Sequence, residues 1–178
     1  FRTLPSQITL KDISPFVPVL AHFKEPITLD MEVKGTVDQL NCSHLEIVSE
    51  EQQFRLRGDV SLQDLSHPQD AYVYGTLSEL SANTRGVGFL VRNLNPDYNG
   101  VPPILERLGN ISFRGEISGY FTDLVTYGQL RTSLGDVKTD LKLSADKSKG
   151  LFAYSGAVKT TDFKLGELLA NEQLGEIT

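Results

Sequence analysis

The sequence has one cysteine, Cys42, so no disulfide can close within the chain; a reducing compartment and a periplasm both tolerate that. Positive charge is scarce too: 17 Lys and Arg stand against 23 Asp and Glu, a net charge of -6. Phosphate backbones are bound by dense Lys/Arg surfaces, which argues against nucleic acid as a partner. The same charge disfavours attraction to an anionic membrane, though not purely hydrophobic contact with lipid. No window approaches the roughly 18 apolar residues of a membrane-spanning helix. The chain opens on Phe1 with no basic leader and apolar run behind it. The expectation is an internal segment of a longer protein whose signal or anchor lies elsewhere.

Reactive chemistry is equally sparse. His22, His44 and His67 are far apart, and none has a partner at metal-ligand spacing except the thin pair Cys42/His44, for which a solvated or strand-face histidine is the stronger reading. A nucleophilic Cys42 needs a base and an electropositive setting. Asn41, Ser43 and Glu46 supply neither, so a buried thiol is expected. Gly86-Val87-Gly88 is followed by no Gly-Lys-Ser/Thr and reads as lacking the strand–loop–helix context of a phosphate loop. Glu50 and Glu51 read as solvated turn residues. A glycosidase carboxylate pair is set by fold geometry, and nothing in the sequence nominates one. Asp38, Asp64, Asp123 and Asp162 are scattered singly, whereas calcium loops gather their ligands within about a dozen residues. They read as turn formers. The expectation is a non-enzymatic chain with no metal and no cofactor.

What is present is a strand pattern. Hydrophobic residues make up 39% of the 178 residues and charged residues 22%, enough apolar surface for a core and too little charge for a disordered chain. In residues 27–34 (ITLDMEVK) every odd position is apolar and every even one polar, the period of a half-buried strand. The alternation returns at residues 54–57 and 111–114, and at 137–143, where Val137, Leu141 and Leu143 share a face with Thr139. Residues 71–77 are more apolar, with Tyr72 and Tyr74 on one face and Val73 and Leu77 on the other, as in a strand covered on both sides. Three stretches break the rhythm and read as short helical plugs: 14–20 with a capping serine and an early proline, 101–108 ended by Gly109, and 165–174 with leucines at helical spacing. Residues 66–70 and 95–100 carry turn chemistry.

One motif recurs: an alternating strand, a small residue, an acidic or small one, a β-branched one, then Asp followed by an apolar residue. It runs from Phe54 through Gly58-Asp59-Val60 to Asp64-Leu65, and from Ile111 through Gly115-Glu116-Ile117 to Asp123-Leu124. A third copy runs from Leu151 through Gly156-Ala157-Val158 to Asp162-Phe163, and a looser one from Met31 to Asp38-Gln39-Leu40. The spacing is unequal, so no strict solenoid period applies. Glycine inside such a strand marks a bulge or a close backbone approach; the motif predicts a strand that bends there, crosses over and returns through an aspartate turn. The fold class expected is mainly β: a curled, largely antiparallel repeat sheet, groove-like, with two or three short helices, residues 1–178 forming a single unit. A closed β-sandwich is the alternative.

These stretches, with residues 8–16 (ITLKDISPF) and the ending 162–169 (DFKLGELL), resemble the AsmA-like superfamily, most closely the TamB translocation and assembly proteins of Bacteroidetes type. The resemblance implies a long periplasmic protein with an inner-membrane anchor outside this segment. It implies a curled sheet whose apolar concave face serves as a groove for lipid transport, in which acyl chains lie, and a role in outer-membrane assembly through a β-barrel partner engaged by other parts of the full-length chain. On that view the groove would be lined by Ile27, Leu29, Met31, Val33, Phe54, Leu56, Ile111, Phe113, Ile117, Leu141 and Leu143. The same residues would line any closed β core. A β-sandwich interaction or adhesion module, binding a protein or glycan, is the competing function, and a hydrolase with unrecognised carboxylates a further one.

Overall fold

The computed structural model describes residues 1–15, 20–36, 38–67, 70–94, 100–146, 151–171 and 173–176. Nine strands form one antiparallel sheet in which sequence order and spatial order coincide: β1 (Ser6–Thr9), β2 (Pro26–Gly35), β3 (Gln39–Ser49), β4 (Phe54–Gln63), β5 (Tyr72–Ala82), β6 (Ile111–Tyr120), β7 (Asp123–Thr132), β8 (Gly135–Asp146) and β9 (Leu151–Thr161). The sheet is an open, curled meander with β1 and β9 as its edges. It is not a closed sandwich, and the crossover expected after each glycine motif does not occur.

An up-and-down meander sends alternate connections to opposite ends. The first end, where β2, β4, β6 and β8 begin, holds every described helix: α1 (Thr84–Leu94), α2 (Pro103–Arg107), α3 (Leu165–Leu169) and 3₁₀ turns at Leu10–Ile13 and Glu50–Gln52. The second end, where β2, β4 and β6 finish, carries the turns with Asp38, Asp64 and Phe121. Helices α2 and α3 match two of the expected plugs. The third, expected over 14–20, lies partly outside the described residues at 16–19. Helix α1 was not expected, and it corrects the reading of Gly86-Val87-Gly88: these residues do follow a strand and lie in a helix. Asn83 caps it, its side-chain oxygen accepting the Gly86 N–H at 2.9 Å and its carbonyl the Val87 N–H at 2.8 Å.

Cross-strand partners share a face, so the register traces rows across the sheet. One row near the helical end reads Leu29, Ile47, Leu56, Leu80, Phe113, Leu130, Val137. On it Leu10, Phe23, Ile27, Leu29, Phe54, Ala82, Val87 and Phe89 close a buried core, and the Phe89 ring meets those of Phe23 at 5.4 Å and Phe54 at 6.1 Å. A smaller cluster gathers Leu134, Val137 and Phe163 under α2 and α3. The opposite face of β5 is not covered: Tyr74 is 45% exposed, which corrects the two-sided burial expected of that strand.

The register shifts in all four pairs from β2–β3 to β5–β6 and in none of the three that follow. Bulges bend a strand and raise its local twist, so they concentrate the curl in the first half. A row of small residues crosses the middle of the second half: Gly115 pairs with Gly128, and Gly128 with Thr139. The Phe113 ring folds over that pair and leaves no room for a side chain. A Cβ on Gly128 would meet the Arg114 carbonyl and lie 2.7 Å from the Phe113 ring.

Gly128→Ala is therefore expected to cost about 1–3 kcal/mol, as overpacking does, measured as a lower urea midpoint. Adding Phe113→Leu does not restore it, because the Arg114 carbonyl still obstructs.

Candidate functional site

Three of the expected groove residues, Leu29, Met31 and Val33 of β2, come together with Leu40, Cys42, Leu45 and Ile47 of β3, Val60 and Leu62 of β4, and Val73 of β5. They enclose a cavity of about 410 Å³ on the concave face, to which Phe1, Leu10, Ile13, Leu20 and Phe121 add the remaining wall. No polar atom is exposed in that wall. The volume falls in the range of small-ligand pockets, roughly 300–1,000 Å³.

The rest of the expected lining divides in two. Ile27, at 1% exposure, and Phe54, at 5%, belong to the closed core, with Leu56 and Ile111 packed against it. Phe113, Ile117, Leu141 and Leu143 lie on the same face in the later strands, half-buried and outside the cavity. There the apolar residues are interrupted. Ile117 pairs with Gly75 and Thr126, and Leu141 with Thr126 and Gly156. The wall residues of β3 escaped the alternation search because a bulge lies between Cys42 and Leu45. His44 sits in that bulge with a left-handed φ of 54°, and the odd extra residue shifts the apolar phase from even to odd positions. Two apolar/polar runs offset by one residue are the signal that could have revealed them.

Cys42 is buried in the wall, 8% exposed. Its burial, and secondarily the negative charge of Asp59, push the thiol above its ordinary pKa, so it stays protonated and reacts only slowly at neutral pH. His44 turns away into the bulge, 3.8 Å from Asp30 and 61% exposed. The imagined Cys42/His44 metal pair does not form. Among the described residues no three His, Cys, Asp or Glu are grouped to hold a metal, and none of the described helices is long and apolar enough to cross a membrane.

The aspartates of the repeat fall into different roles. Asp64 and Asp162 each follow a strand in the left-handed region, at φ 57° and 54°, and each is followed by a buried residue, Leu65 or Phe163. Asp123 instead begins β7, where Ser144 donates to it at 2.8 Å and Lys142 pairs with it at 2.9 Å. Asp64 and Asp162 stand six positions after Gly58 and Gly156, but Asp123 stands eight after Gly115; the extra two carry it past the turn.

A shallower cleft of about 400 Å³ at the helical end has a mixed wall, with Gln52, Gln53, Asn83, Asn110 and Arg131 beside Ala82 and Ile111. Arg131 is paired there with Asp136 at 3.5 Å. Neither of these two has a carboxylate in its wall; the cleft around His44 and Arg57 has Glu46 and Asp59, the first paired with Arg57 at 2.7 Å and the second accepting the His44 N–H at 3.2 Å.

Compared with family models, curated proteins and solved structures, the chain gives no significant match.

At the end of the cavity away from the helices, Asp64 holds His67 Nδ1 at 2.9 Å. That bond raises the imidazole above its ordinary pKa, and the charges of Asp70 and Asp38 add to the effect. A raised pKa means that the pair stabilises fully below about 6.5 and ceases to as pH rises through the folded value. An NMR titration is expected to place His67 above the ordinary histidine value, and Asp64→Asn to bring it back toward that value.

Proposed function

We propose that this chain is a non-enzymatic segment of an envelope-spanning protein of AsmA and TamB type, offering an apolar β trough to lipid acyl chains. The single observation that carries the reading is the dry wall of the β2–β5 cavity, apolar throughout. An open sheet with one apolar face supports it as well. On this reading the protein works in the periplasm, anchored in the inner membrane by a part outside this segment. Other parts of the full-length chain engage an outer-membrane β-barrel assembly partner.

The energetics favour an acyl occupant. Ten buried methylenes bring about 8 kcal/mol at roughly 0.8 kcal/mol each, against at least about 4 kcal/mol for lost translation and rotation. No charged site is needed for the head.

A second reading, an interaction module for a protein or glycan, rests on the outer face. Tyr74, Tyr120 and Tyr127 stand 45%, 49% and 67% exposed on adjacent strands, and the ring of Tyr120 meets that of Tyr72 edge-on at 5.4 Å. Exposed aromatic clusters mark contact surfaces.

The purified chain is expected to carry lipid in native mass spectrometry and to take up an uncharged fluorescent acyl probe. Occupancy shields Cys42 from thiol reagents, and Met31→Lys abolishes uptake while the circular dichroism stays that of the parent. Absence of both co-purified lipid and probe uptake would overturn the proposal, and loss of uptake on removing Tyr74 and Tyr127 instead would move it to the outer face.

A further inference from the structure

We propose, resting on the acyl-chain reading of this cavity, that the trough is a dead-ended pocket: it takes one chain tail-first to a stop at Leu29 and Ile47, and it favours a cationic head over an anionic one.

The stop follows from the topology. Leu29 and Ile47 are cross-strand partners that belong at once to the cavity wall and to the packed core. Behind them lie Ile27 and the rings of Phe54 and Phe89, and Leu10, Ile13 and Leu20 cover the same end. All described helices sit at this end. From Leu29 the cavity follows β2 and β3 toward Leu40, the partner of Gly35. Six steps along a strand at about 3.3 Å each make about 20 Å, the length of one extended chain and its head. At about 30 Å³ per methylene-sized group, the share of liquid volume a water takes, 410 Å³ holds about fourteen groups. The space fits one chain and excludes a passing pair.

The head preference follows from charge at the far end. The two turns beside Leu40, Leu62 and Val73 carry Asp38, Asp64 and Asp70, all exposed. Asp64 donates its N–H to the Asp38 carbonyl at 3.0 Å, which holds the two turns together. The cations at this end gather on Glu32: Lys34 is paired with it at 2.7 Å, Arg2 is its bridge partner, and the Phe1 ammonium beside it is bound to the Val33 carbonyl at 2.9 Å; against Glu32 and the three aspartates they leave one negative charge over, and His67 offsets it only when protonated. A phosphate or carboxylate head meets net negative charge there, and an amine head meets its complement.

The test titrates the protein below the critical micelle concentration with alkyltrimethylammonium and alkyl carboxylate series of eight to eighteen carbons, read by calorimetry and by protection of Cys42. Affinity is expected to rise about fourfold per methylene and to level off near fourteen carbons. The ammonium series binds more tightly at every length, by a margin that narrows in salt. Ile47→Ala moves the plateau about two carbons longer and Ile47→Val, which disturbs packing least, about one. Affinity still climbing at eighteen carbons, or a plateau unmoved in both variants, would overturn the stop, and equal binding of the two series the head preference. Absence of binding by either series sinks the underlying acyl-chain reading instead.

Discussion

A sheet with one apolar face must cover that face, and a nine-stranded meander has no second sheet to do it. Sandwiches solve the problem by packing two sheets together, and barrels by closing on themselves. Here the cover comes from short helices, and the chain's alternation of direction dictates where they go. The long β5–β6 connection, the segment between β1 and β2, and the segment after β9 all fall at the same end. The other end is joined by turns too short to fold back over the face. Helical cover at one end and none at the other are thus one consequence of connection length.

Curvature decides how much of the uncovered face becomes a cavity. Where bulges recur, between β2 and β6, the face wraps far enough for Phe121 on the β6–β7 turn to share a wall with Phe1 and Val33. Where the register runs unbroken, from β6 to β9, the face stays flatter and its composition differs. The row Val33, Cys42, Val60, Gly75, Ile117, Thr126, Leu141, Gly156 begins with three apolar side chains in succession and then alternates large apolar residues with small or polar ones. Less apolar surface needs covering there, and the second cluster under α2 and α3 is correspondingly small.

The legible parts of this fold are those that depend on local period. Residues 27–34 alternate without fault, and they form the middle of β2, which supplies three wall residues. Gly58 was read as a bend or a close approach and is both: the register shifts at Arg57/Gly58, and a Cβ there would strike the Thr76 carbonyl. What local period cannot carry is a change of phase. The bulge at His44 hid the four wall residues of β3. Helix α1 was hidden for a different reason: Gly86 and Gly88 weigh against a helix by propensity, yet both are buried. At Gly86 the Gln53 carbonyl approaches so closely that a Cβ would not fit. Tertiary contact demanded glycine where helix propensity would forbid it.

That exchange also explains why the closed end is firm enough to act as a floor. The Gln53 carbonyl beside Gly86 also accepts the Asn83 N–H at 3.0 Å, so the start of α1 is tied to the β3–β4 connection. Ser49, at the end of β3, accepts the Phe54 N–H through its hydroxyl at 2.9 Å and is itself buried. Backbone groups that strand ends leave unpaired are therefore satisfied beneath the helix, where orphaned donors would otherwise weaken the core. The Phe89 ring can then rest against Phe23 and Phe54 without a polar gap between them. A helix cap, a tight glycine contact and a serine bond at a strand end together hold the aromatic cluster in place, and that cluster separates the core from the cavity.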